Sequence, residues 1–198
     1  MARPSRPATS YEAIIRAHFG LSIQQLARWL GVSVGFIGHL EAGRKSLSLP
    51  LAERLLPLGQ LLPPLGPAPP ASPPLPAPLV ELPPTTTAAI PASLDPEPLR
   101  RRVRACRLQA LVLGQRLAKL HATAAALARR RWGLAQLTAA PPPPDPAEAA
   151  RYARWLTELA EDLALADPQP VAAATQRVLL AVRVGALQAE AAALAGLG

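Results

Sequence analysis

The sequence predicts an all-α protein, on three observations. No stretch alternates apolar and polar residues with the period of a strand. Half of the residues are hydrophobic, mostly Ala and Leu, and only two Phe and two Tyr accompany three Trp, a balance that favours helices over sheet. Apolar residues recur at steps of three and four along most of the chain, and the 25 prolines interrupt that rhythm at a few places only. The expected organisation is an N-terminal domain of four to five helices over residues 1–62, a proline-rich disordered linker over 63–98, and a helical domain over 99–198.

Ala2 to Thr9, with Arg3 and Arg6, reads as a flexible arm. Ser10 is a capping residue, and the spacing behind it predicts a first helix to Phe19 with Ile14, Ile15 and Phe19 turned inward and Gly20 closing it. Ser22 is a second cap, and Leu26, Ala27 and Leu30 form one apolar stripe behind it. Gly31 stops that helix, Val32 plugs the turn, Ser33 caps a third helix, and Ile37 and Leu40 repeat the inward step. Gly43 is free to take the left-handed backbone of a helix C-terminus. Pro50 then suits the first turn of another helix, packed through Leu51, Leu55, Leu56 and Leu58, and Pro57 sets the end of the domain between Pro57 and Leu62.

Helix, short glycine-bearing turn and helix, over Leu21 to Lys45, is the form that lays its second helix in a DNA major groove. The stretch resembles the Xre/Cro family of phage-repressor helix-turn-helix domains at Leu21, Ser22, Leu26, Ala27, Leu30, Gly31, Val32, Ser33, Ile37, Leu40, Glu41, Gly43 and Arg44, without a gap. The resemblance extends over residues 11–62 and implies double-stranded DNA as partner. The residues it places toward DNA are Gln24, Gln25 and Arg28 on the first helix of the motif, then Ser33, Val34, Gly35, Phe36, Gly38 and His39 on the second, and Arg44 and Lys45 just beyond. Ile23 stands where members often carry a phosphate-binding Gln, and Gly35 and Gly38 where they often carry polar residues that reach bases. His39 is left as the polar reader of that helix. Val34 and Phe36 lie where a thymine methyl could be met, Arg44 and Lys45 suit phosphates, and discrimination is expected to lean on apolar contacts and DNA shape.

Fourteen of the 36 residues from Pro63 to Pro98 are proline, without periodicity, which predicts an extended tether of at most about 110 Å at roughly 3.1 Å per residue. Beyond it, Leu99, Val103, Cys106, Ala110, Leu113, Leu117, Leu120, Ala124 and Leu127 predict a long helix from Leu99 to about Thr138. Pro141 to Pro144 break it. A second helix starts at Asp145 or Pro146 with Tyr152, Trp155, Leu156, Leu159 and Leu163 inward, and a third runs from Val171 to Leu197 through Val178, Leu179, Val182, Leu187 and Leu194. A long-helix hairpin or three-helix bundle is the simplest closure, with dimerisation completing an Ala-rich core.

The net charge of +8 is uneven: residues 99–131 hold ten basic residues and no acid, whereas residues 132–198 hold four basic and seven acidic. Such a balance favours a polyanionic partner. The acidic Glu158, Glu161 and Asp162 are expected on a solvated face or paired with the Arg-rich helix. His18, His39 and His121 lie too far apart for a metal site, Cys106 is a heptad-core thiol, and no phosphate loop, nucleotide fingerprint or triad pattern is present, so no enzyme and no cofactor are expected. The single Cys, the absence of an apolar leader and the absence of an apolar run of about 18 residues predict a cytoplasmic protein without a membrane partner. The function expected is a sequence-specific DNA-binding transcriptional regulator, homodimeric through its C-terminal helices. The alternatives are an adaptor whose helix-turn-helix docks a protein, and a sequence-independent nucleoid-type binder.

Overall fold

The computed structural model describes residues 10–63 and 95–197. The N-terminal arm and most of the proline-rich tether lie outside the described residues. All seven elements among those described are helices, as expected: α1 (Tyr11–Phe19), α2 (Ile23–Leu30), α3 (Val34–Glu41), α4 (Leu49–Gln60), α5 (Pro96–Ala139), α6 (Pro146–Ala166) and α7 (Pro170–Ala195). They fall into two units. One holds residues 10–63 with 124–168, the other residues 95–123 with 169–197. The expected boundary is thereby corrected: residues 124–168 group with the N-terminal helices and not with residues 169–197.

In the first unit the local signals act as the sequence suggests. The Ser10, Ser22 and Ser33 hydroxyls accept from the backbone N–H three residues on, and Gly20, Gly31 and Gly43 all take positive φ. Ser22 and Gln25 form a reciprocal capping box, the Ser22 N–H donating to the Gln25 amide oxygen at 2.9 Å. Ile15, Phe19, Leu26, Leu30, Ile37, Leu40, Leu55 and Leu58 are buried together. Ile14 and Leu56, expected inside, are exposed, and α4 continues past Pro57 to Gln60.

The reason for the enlarged unit is α2. In this eight-residue helix Gln25, Leu26, Ala27, Trp29 and Leu30 are all buried, so it needs cover on more than the single side that one stripe implies. The second cover is α6, whose Tyr152 and Trp155 close over Trp29 with ring centroids at 5.4 and 5.1 Å. Both indoles are satisfied: Trp29 donates to the Arg54 carbonyl at 3.0 Å and Trp155 to the Gln25 carbonyl at 2.9 Å. The Tyr152 hydroxyl donates to the Leu137 carbonyl at 2.8 Å, and burial pushes its pKa up to about 12. Arg54 and Arg151 reach the Leu30 and Trp29 carbonyls at the C-terminus of α2, where cations are favoured.

The C-terminal part of α5 packs on α1. Gly133 of α5 lies so close to Phe19 that a β-carbon there would run into the Phe19 backbone, carbonyl oxygen first. Beside this contact His18 places its ring edge-on to Phe19 and Trp132 at centroid distances of 4.8 and 5.0 Å. Burial first, and then the Arg129 guanidinium, hold the His18 pKa below its usual value. The folded chain therefore binds this proton less well than the unfolded chain. His18 stabilises the fold above its ordinary pKa of about 6.5 and loses that contribution as pH falls below it. Thermal melts between pH 7 and pH 5 should show a falling Tm that His18→Gln flattens; an unaltered slope in the variant would remove His18 as the cause.

In the second unit Val103, Cys106 and Ala110 of α5 and Val184 and Ala191 of α7 are buried, and Arg102 and Glu190 form a two-pronged ion pair at 2.7 and 3.0 Å. Cys106 is fully buried, and burial raises its thiol pKa. Leu113, Leu117 and Leu120 continue the seam half-buried. Of the apolar series on α7, Val178, Leu179 and Val182 are exposed, whereas Leu187 and Leu194 are half-buried. The helix is also long and apolar enough to cross a membrane by length and composition, with a mean hydropathy of 1.6 over its best 18 residues, 6% of them buried. No unbroken apolar run marks the helix in the sequence, because alanines carry the average through Arg177 and Arg183.

Candidate nucleic-acid interface

The second helix of the motif, α3, is held by Ile37 and Leu40 against the core, which turns positions 34, 35, 38 and 39 outward. Val34 is 51% exposed and His39 is exposed, and the space around Gly35 and Gly38 is open to at least 4 Å. Ser33 is exposed at the N-cap, where its hydroxyl accepts from the Phe36 N–H at 3.2 Å. Phe36 is half-buried against the core.

The chain then folds back on α3: the Arg44 and Lys45 N–H groups both donate to the His39 carbonyl, at 2.9 and 3.3 Å. This return lays the Lys45 ammonium 5.1 Å from the centre of the Phe36 ring and leaves both cations exposed. The one carboxylate of the helix is neutralised. Glu41 takes two hydrogen bonds from Arg16 of α1, at 2.6 and 3.0 Å, an arrangement stronger than an exposed ion pair and one that fixes α3 to α1. What remains outward is a short surface with His39, Arg44 and Lys45 at one end and no free acid from its own helix, suited to a polyanion.

The structure thus brings Ser33, Val34, Gly35, Gly38, His39, Arg44 and Lys45 together, with Phe36 at the margin. Gln24 is exposed at the start of α2. Two expected contacts are corrected. Gln25 is 6% exposed, its oxygen taken by the capping box and its amide N–H donated to Asp162 at 2.8 Å. Arg28 is paired with Glu158 and Asp162 of α6, and Arg54 with Glu148, so three acids of α6 lie against α2 and α4. Arg131 with Asp167 is the pair that follows the expected pattern. The Ser22-x-x-Gln25 spacing, a capping-box signature, was the available sign that Gln25 faces inward. Arg16 and Glu41 stand 25 residues apart with no spacing that signals their pairing in the sequence.

The family model described as a helix-turn-helix domain matches residues 11–62. No curated protein and no solved structure matches the chain. Residues 11–62 are a helix-turn-helix domain, the kind found in Xre-type regulators, and such a domain points to DNA as the partner.

Proposed function

We propose that the chain is a cytoplasmic, Xre/Cro-type, sequence-selective regulator of transcription that acts by occupying DNA as a pair of readers. The observation that carries this is the outward face of α3, which the fold leaves uncovered and ends with His39, Arg44 and Lys45. In this mechanism α3 enters the major groove, with Ser33 and His39 hydrogen-bonding at base edges and Val34 against a thymine methyl. Arg44 and Lys45 hold phosphates, which fixes register without reading sequence. The shortage of hydrogen-bonding side chains at Gly35 and Gly38 favours moderate discrimination with a share from DNA shape.

The test is titration of each variant against a site selected from random DNA and against its scramble, across a salt series. Arg44→Ala and Lys45→Ala should weaken both DNAs alike and reduce the salt slope by about one unit each. His39→Ala should cost roughly 1–3 kcal/mol on the selected site and little on the scramble. Equal affinity of the unaltered protein for both DNAs would replace selective regulation by sequence-independent binding, a reading the glycine-rich α3 face would favour. Absence of binding at low salt would leave a protein-docking domain.

A further inference from the structure

The outer face of α7 carries an exposed apolar stripe that is graded in bulk along the helix. Its positions advance by four and three residues from Val171 through Thr175, Val178 and Val182 to Gly185 and Ala189, a heptad seam that faces away from the buried Val184 and Ala191. Val171, Val178, Leu179 and Val182 are 79, 57, 66 and 58% exposed, and the helix's three charged residues, Arg177, Arg183 and Glu190, lie off the stripe. Bulk is graded along it: the N-terminal half is Val, Val and Leu, the C-terminal half Gly and Ala.

We propose that this face is covered by α7 of a second copy, running antiparallel about a two-fold axis at Val182. The inference deepens the pairing of readers proposed above. Antiparallel crossing at Val182 sets that residue on its own copy and, to either side, Val171 against Ala193, Thr175 against Ala189, Val178 against Ala186 and Leu179 against Gly185, the bulkier residue opposite the smaller. Parallel pairing would set Val on Val and Ala on Ala and leave the C-terminal half unfilled. Charge is compatible with self-pairing, because in a chain of net +8 the stripe sets no cation against its own copy. Need agrees as well: within the second unit five side chains are buried, a core of the size that oligomerisation usually completes.

The experiment uses the full chain without DNA, so its result does not depend on whether DNA binds. Val182→Cys, at the axis, should cross-link to dimer under mild oxidation. Val171→Cys lies eleven residues from the axis, which separates the two thiols by roughly 33 Å at about 1.5 Å per residue, far beyond disulfide reach; it should stay monomeric on a denaturing gel. The unaltered chain, with buried Cys106, is the control. Val178→Arg should convert the dimer seen by sedimentation to monomer, with unchanged helical circular dichroism. Cross-linking of both cysteine variants would mean a parallel pair and overturn the proposal. A monomer at about 100 μM would overturn it too, as would flotation of the chain with uncharged phosphatidylcholine vesicles that Val178→Arg abolishes, which would assign the stripe to lipid.

Discussion

Trp155→Ala should remove about 3–5 kcal/mol from the unit that contains the helix-turn-helix, although residue 155 lies far outside the matched domain. The indole is buried over Trp29 and Tyr152 and donates to the Gln25 carbonyl, so truncation opens a cavity, breaks an aromatic trio and removes a buried hydrogen bond. The ion pairs around it cannot compensate. Arg28 and Asp162 each keep a third of their side chains in water, where such pairs contribute about 0.2–1 kcal/mol. Denaturant unfolding of the full chain, followed by circular dichroism, measures the loss. Arg28→Ala made in parallel should cost under 1 kcal/mol; if the two variants lost equal stability, polar contacts and not the aromatic trio would hold α6 to α2.

Gly133→Ala should lower the melting temperature even though it improves the helix that carries it. Alanine in place of glycine in a helix interior favours the helix by about 1 kcal/mol, and an isolated peptide of α5 should gain helicity accordingly. In the folded chain the added methyl meets the Phe19 backbone, which cannot turn aside as a side-chain tip could, so α5 must shift away from α1. Overpacking of this kind costs about 1–3 kcal/mol, occasionally more, and outweighs the gain. Opposite signs in peptide and protein are the expected result. A protein with raised stability would show that α5 and α1 do not approach as closely as the structure has them.

The legible part of the fold was whatever depended on neighbours in sequence. Caps at Ser10, Ser22 and Ser33, the three left-handed glycines and the spacing of Ile37 and Leu40 are decided within a few residues, and they place α3 and its outward face. What could not be read was the second cover on α2. Periodicity shows that a helix has an apolar side but does not name what lies on it, and Trp29 could equally have stood half in water. The acids of α6 misled for the same reason. Glu148, Glu158 and Asp162 flank Tyr152, Trp155 and Leu159 on one surface, and the nearest unbalanced charge in the sequence was the Arg-rich α5 and not Arg28 and Arg54. On α7 the apolar positions were legible but not which of them the chain itself covers, because an apolar stripe is the same in sequence whether its cover is this chain or another.

The closure of α6 over α2 also sets an order in time. Trp155 follows Trp29 by 126 residues, and at about 5–20 residues per second a ribosome needs roughly 6–25 s to deliver it. For that interval α1 to α4 stand with an indole uncovered. A message that ends soon after Leu62 would therefore yield a sticky intermediate for chaperones and proteases, not a spare DNA-binding module.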